Sequence, residues 1–408
     1  MSFAGMAGMA GMAGMAGMAG MAGMAGMAGM AGMAGMAGMA GVAGYSGDLG
    51  NLMLLDALTK SREAVAGRVG GPPAPWDPAP AWLATESLPL GSDPERLRQL
   101  DPHVRGFLAE QELLAHVHFV PGADGASAAL HWLSAPALDA PGSTASAAAL
   151  PVVRMRRPGF SVFKAQLDVV ESWASRREDR ASEVLTQVLP QFSFWSSVVN
   201  LHPNRTPKTL ELITVALQFA MLSVMRFKHA LGCPRPIEFS PQIQPVLLTP
   251  GYCALPSGHA TEAYMFARVM RELMGQQPGS GVALQLDHLA ARIAENRVVA
   301  GLHFPADSTA GRLLGDTLAG LFVSWCSGEK WQSRDFKGDK MVVADRDFVR
   351  DELLDPVGSA TTPPYFESKA QAPLPAEPAS PVLKWMWRQA EAEWKDARFA
   401  VPPQRPHA

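Results

Sequence analysis

The fold and the chemistry of this chain are decided by one stretch, read in three blocks: KHALGCPRP at 228–236, PSGH at 256–259 and NRVVAGLHFPAD at 296–307. The first block spaces Lys228 and Arg235-Pro236 as K-x6-RP. The second is Pro256-Ser257-Gly258-His259. The third sets Arg297, His303 and Asp307 in R-x5-H-x3-D order. Lys228, Arg235 and Arg297 supply three cations, His259 and His303 two histidines, Asp307 a carboxylate and Ser257-Gly258 a turn, which is the inventory for gripping a tetrahedral oxyanion and attacking it. Transfer of a phosphate-like centre is mostly positioning and charge stabilisation. Arg235 and Arg297 each offer a planar fork to two oxygens, and Lys228 a point charge.

After Ser257-Gly258-His259 the chain runs on in plain helical pattern to Met274. Ser257 suits the N-cap, and Gly258 lets the backbone approach a ligand. The oxyanion is therefore expected at this helix N-terminus, where backbone N–H groups and the dipole favour negative charge, with His259 beside it. His303 and Asp307 are four apart, one helical turn. A carboxylate on one imidazole nitrogen fixes the tautomer and leaves the other to attack. The reading assigns His303 as nucleophile, Asp307 as its orienter and His259 as general acid. Alone, each of these residues reads as an ordinary core histidine or ion-pair partner; the order and spacing of the three blocks carry the argument.

The blocks resemble the type 2 phosphatidic acid phosphatase/vanadium haloperoxidase superfamily, whose pattern is K-x6-RP, then PSGH, then SR-x5-H-x3-D. One position departs: Asn296 stands where the family has Ser. Asn also donates a hydrogen bond, so Asn296 is a possible anion contact. The resemblance covers about Leu201 to Cys326. It implies that Lys228, Arg235, Ser257, Gly258, Arg297 and His303 surround bound phosphate or vanadate, with the same roles for His259 and Asp307. It implies an all-α helical bundle, which scarce strand signals also suggest; the lipid phosphatases of the superfamily are integral membrane proteins, and the interrupted apolar runs of this chain point instead to a soluble member of the bacterial type.

Two activities follow from that resemblance. With phosphate esters, His303 attacks phosphorus, His259 protonates the leaving alcohol, water releases the phosphohistidine, and no cofactor is needed. With vanadate as cofactor on His303, the pocket would use hydrogen peroxide to oxidise halide. The short stretch from His259 to Arg297 resembles the compact phosphatases; the helical region before Lys228 resembles the haloperoxidases. The phosphatase is favoured. A third reading is a non-catalytic scaffold that displays an N-terminal repeat.

That repeat is twelve copies of Met-Ala-Gly at 6–41, which hold 12 of the 22 methionines. Gly at every third place is costly in a helix and the absence of Pro argues against collagen; the tract reads as disordered low complexity. Four regions are expected: 1–48 the repeat, 49–158 helical and Pro-rich, 159–328 the catalytic helical core, and 329–408 a Pro-rich tail with a Trp-bearing helix at 383–399 that docks on the core. Within these, 94–118 reads as helix, 121–149 as loop, 160–202 as helix with the charged run 176–180 as a turn or an exposed face, and 237–255 as an ordered loop over the site. Thr206-Pro207 opens a helix that ends near Gly232.

A net charge of −3 leaves no basic footprint for nucleic acid. Three cysteines, Cys233, Cys253 and Cys326, show no metal-ligand spacing and favour a reducing compartment. No signal peptide is read, and Glu211, Gln218 and Arg226 leave the apolar run 210–227 shorter than a membrane span needs. The location expected is cytoplasmic.

Overall fold

The structure, a computed structural model of the full chain, describes residues 56–57, 59–61, 94–133, 149–188, 191–343, 347–348, 363–374 and 380–395. The repeat and the Pro-rich segment 70–89 lie outside these residues. A short 3₁₀ turn, Pro94–Gln99, leads into helix α1 (Pro102–His116) and then strands β1 (Val117–Pro121), β2 (Ser127–Leu133) and β3 (Ala149–Arg156). Helices α2 (Phe160–Trp173), α3 (Arg177–Thr186) and α4 (Phe192–Val199) follow. The core helices are α5 (Pro207–Leu231), the single turn α6 (Pro236–Phe239), α7 (Gly258–Leu273), α8 (Gly281–Val299) and α9 (Pro305–Ser327). Strands β4 (Trp331–Lys337) and β5 (Phe366–Gln371) precede the last helix, α10 (Pro381–Lys395).

The all-α expectation is overturned. The strands form one five-stranded sheet in the order β1-β2-β3-β4-β5, antiparallel except for the parallel β3–β4 pair, where Val153 faces Arg334 and Arg156 faces Lys337. The physical reason is legible in β2. Ala128, Leu130 and Trp132 are buried while Ser127, Ala129, His131 and Leu133 are less so, a period-2 pattern carried by small residues of weak strand propensity. β4 and β5 are too polar to announce themselves, and their pairing partners lie far off in sequence. The sheet packs on α9. Segment 121–149, expected as loop, thus carries β2 and the start of β3, and 117–118 belongs to β1, not to the preceding helix.

One apolar cluster runs from Leu97 to Ala390. At its centre α7 and α9 lie backbone to backbone. A Cβ on Gly311 would meet the Ser257 carbonyl at 2.6 Å, and one on Gly315 the Thr261 carbonyl at 2.2 Å. These glycines bring Ser257 and Asp307 together: the Ser257 N–H donates to the Asp307 carbonyl at 2.9 Å. Two anion-site blocks are joined by this single bond.

α5 starts where Thr206-Pro207 predicts, with a different cap. Thr206 exchanges hydrogen bonds with the backbone of His202, and the free N–H groups of Lys208 and Thr209 donate to the Glu393 carboxylate of α10, each at 2.8 Å. The Trp394 indole donates to the Thr209 hydroxyl at 2.9 Å, and Trp385 is buried beside the Arg105–Glu211 ion pair. So the Trp-bearing helix docks on the core, as its sequence suggests. Glu393→Ala is expected to lower stability by about 1–2 kcal/mol, the value of a helix N-cap, read as a fall in urea midpoint at unchanged slope.

α5 and the turn after it, Pro207–Phe239, are long and apolar enough to cross a membrane by length and composition, contrary to the count made from interrupting polar residues. The most apolar window of that segment is 61% buried inside the fold, and Glu211 on it is paired with Arg105 at 2.5 Å.

Candidate functional site

All three blocks converge. Lys228, Arg235, Ser257, Gly258, His259, Arg297, His303 and Asp307 are buried, on the last turn of α5, the loop into α6, the start of α7, the end of α8 and the α8–α9 junction. Ser257 is the N-cap of α7, its hydroxyl accepting from the Ala260 N–H. The N–H groups of Gly258 and His259 head the helix without intrahelical acceptors. A Cβ on Gly258 would come no closer than 4.0 Å to Val224, so protein packing does not demand this glycine.

The histidine tautomers follow from donor chemistry. Arg235 Nη1 lies 3.0 Å from His303 Nε2. Guanidinium only donates, so Nε2 holds a lone pair and the proton sits on Nδ1, which donates to Asp307 Oδ2 at 3.0 Å. The same oxygen accepts the Phe304 N–H at 2.9 Å. His303 therefore precedes α9 and does not share a helix face with Asp307; the carboxylate, in the first turn, orients the histidine while bonding the N-cap residue. Burial and the Arg235 and Lys228 charges hold His303 well below its ordinary value, hence neutral. Burial pushes the Asp307 carboxyl up to about 7, against the Phe304 N–H and the same two cations.

His259 Nε2 lies 3.0 Å from the Gln187 carbonyl, so Nε2 carries the proton. Burial and Arg297 drive His259 down to about 3.

The cations are held by carbonyls. Lys228 donates to those of Cys253 and Ala254 at 3.0 and 2.7 Å, and Arg235 to those of Tyr252 and Leu302 at 3.0 and 2.9 Å. Loop 237–255 thus covers the site as expected, after the turns Pro236–Phe239 and Pro241–Ile243. Arg297 Nη2 donates to the Val184 carbonyl and Gln187 Oε1, each at 3.1 Å. Arg235 Nη2, Arg297 Nε and Nη1, and Asp307 Oδ1 are buried with no hydrogen-bond partner among the described residues.

Several contributors escape the sequence reading. The charged run 176–180 is not simply a turn or an exposed face. Arg177 donates to the carbonyls of Val299, Ile243 and Gln244, and Arg180 to Asn296 Oδ1 at 2.9 Å. Asn296 does not face the anion space: its amide donates to Glu183 Oε2 and Gln187 Oε1, both at 3.0 Å. Arg292 and Asn296 draw the Glu183 carboxyl down to about 2. No motif marks Gln187; only its position at the end of α3, whose helix faces α8, could have pointed to it. Of the aromatic residues after Pro190, Trp195 stacks on Phe266 at 4.2 Å as core. Cys233 is buried, its thiol pushed up to about 12 by that burial, so it is no nucleophile.

Glu262, one turn beyond His259, is buried and raised from 4.5 to about 8 by desolvation. It is neutral at pH 7 and does not balance the cations. A folded value above the unfolded one means that stability present below pH 4.5 is lost as pH rises through about 8. Glu262→Gln is expected to remove this loss, on the order of 5 kcal/mol between pH 4 and 9, seen as a flatter denaturation profile across that range. His259 acts with opposite sign: its contribution is present above pH 6.5 and lost as pH falls towards about 3.

Fold and geometry together define a helical core with a buried, cation-rich site and a carboxylate-oriented histidine. Residues 209–331 match the model of the PAP2 superfamily, a match that supports membership of that superfamily through this segment and activity of the phosphatase or haloperoxidase type in general. Residues 3–52 match the collagen triple helix repeat (20 copies); glycine stands at every third position from Gly5 to Gly50, with no proline among them, so the likeness rests on the glycine period. No curated protein matches the chain.

Proposed function

We propose that the chain is a phosphoric ester hydrolase that works through a phosphohistidine on His303. The observation that carries this reading is charge. Lys228, Arg235 and Arg297 are each at most 1% exposed, and Asp307, the carboxylate beside them, offsets at most one of the three charges. Buried cations without counter-charge cost several kcal/mol each, and unpartnered guanidinium N–H groups add to that. A tetrahedral dianion supplies the missing charge and acceptors together.

Arg297, through Nη2 and one of its unpartnered nitrogens, Arg235 Nη2, Lys228, the N–H groups of Gly258 and His259 and the Ser257 hydroxyl hold the phosphoryl oxygens. His303 Nε2 attacks phosphorus once Arg235 turns its Nη1 to the ligand. Burial and the Arg297 charge keep His259 neutral; the dianion offsets that charge, so binding brings a proton to it. The imidazolium gives the Nε2 proton to the leaving oxygen as the P–O bond breaks. Neutral His259 then takes a proton from the water that cleaves the His303–P bond.

The same donors fit vanadate, with His303 Nε2 as its ligand, and that group would supply peroxide activation for halide oxidation. The short His259–Arg297 stretch favours the phosphatase. The test is a paired assay of purified protein: phosphate release from an aryl phosphate, and bromination of a dye with vanadate and peroxide. Vanadate-inhibited release is the expected result. Vanadate-dependent bromination without release would replace this reading with the haloperoxidase. Silence in both arms from folded protein would sink both for these substrates.

A further inference from the structure

Gln187 is fully buried at the end of α3 and meets the site twice. Its backbone carbonyl takes the His259 Nε2 proton at 3.0 Å, the hydrogen bond that a leaving-group oxygen has to take. Its side-chain Oε1 takes Arg297 Nη2 at 3.1 Å, where an oxyanion oxygen would bind. Asn296, the residue that departs from the family pattern, donates to that same Oε1 at 3.0 Å and holds α3 through Glu183 at 3.0 Å. Glu183 is in turn gripped by Arg292 at 2.7 and 2.8 Å, and Arg180 and Arg177 fasten the rest of the helix to α8 and the site loop. Nothing in packing requires an amide here: Gln187 Nε2 is buried with no partner among the described residues.

We propose that Gln187 is an internal ligand of the oxyanion site, a specificity-determining residue whose carbonyl and side-chain oxygens are displaced together by the incoming anion. The proposal rests on the oxyanion-site reading above and deepens it. Two neutral oxygens at two separate donors select for ligands with several charged oxygens. A tetrahedral dianion replaces both acceptors at once, and its charge outbids an amide oxygen at a guanidinium. A monatomic anion replaces only one. Asn296 is then a positioning residue that sets how firmly the internal ligand is held.

Orthovanadate binding to the full chain, measured by titration calorimetry, tests this without requiring turnover. Gln187→Ala removes the competing side-chain oxygen and is expected to tighten binding about tenfold, the worth of one hydrogen bond to a charged group. Gln187→Glu places a permanent carboxylate on Arg297 and is expected to weaken binding at least about tenfold. A residue that merely supports the fold would weaken binding in both variants, and thermal melts check that both remain folded. With an aryl phosphate, Gln187→Ala is expected to lower KM several-fold with a smaller change in kcat. Binding by the Ala variant that equals or falls below wild type overturns the proposal. If wild type releases phosphate and Gln187→Ala leaves KM and vanadate affinity unchanged, Gln187 alone loses its role. If neither protein binds vanadate and wild type releases no phosphate, the oxyanion reading falls and takes the internal ligand with it.

Discussion

His303→Ala is expected to lower phosphate release by about 10⁴-fold or more, because it removes the attacking atom and not one contact among many. Lys228, Arg235 and Arg297 remain, so substrate still binds and KM changes far less than kcat. The imidazole is buried at the α8–α9 junction, bonded to Asp307 and Arg235, but Phe304 N–H keeps its bond to Asp307, so the start of α9 survives the change. Steady-state kinetics beside a thermal melt separate the outcomes. A folded variant retaining even a hundredth of wild-type turnover would rule out His303 as nucleophile. Truncation of the Met-Ala-Gly tract is the converse control, since a scaffold reading requires that truncation, and not His303→Ala, removes function.

Asp307→Asn is expected to cost about 10³–10⁴-fold in kcat/KM while preserving the shape of the site. An amide at this position accepts the His303 proton through one oxygen but cannot stabilise the positive charge that develops on the imidazole. The pH dependence carries a sharper signature. Asp307 is raised to about 7 in the free protein, and the ionised form is the effective orienter. His259, at about 3 in the free protein, must take up a proton in both proteins, so the wild-type to D307N ratio of kcat/KM is expected to rise with pH up to about 7 and level off above it. A ratio that does not change with pH on the same substrate would mean that the ionisation of Asp307 does not set the rate.

The convergence of the three blocks was more legible than the architecture because it depends on short, ordered spacings. Ser257 caps α7 as its sequence position requires, and Pro305 opens α9. The small residues Gly311 and Gly315 let α9 lie against the α7 backbone. The four-residue spacing of His303 and Asp307 was informative for a reason other than helical periodicity, since only Asp307 lies in the helix. The sheet escaped because its strands are short, Ala-rich or charged, and because β3 and β4 pair across more than a hundred and seventy residues, from Val153 to Arg334. Gln187 and Arg177 escaped for a similar reason. A glutamine and an arginine beside a charged run look like solvated surface until α8 is folded against them. Asn296 shows both sides: its departure from the motif was visible, but not the partners on α3 that give it a use.

The most direct test is rapid-quench trapping of the intermediate. Wild-type protein mixed with an aryl phosphate and quenched in alkali within a turnover should carry one acid-labile phosphoryl group, mapped by mass spectrometry to the peptide containing His303 and absent from His303→Ala. Turnover with no phosphoryl group on that peptide at any quench time, or with the label on another residue, would contradict the account.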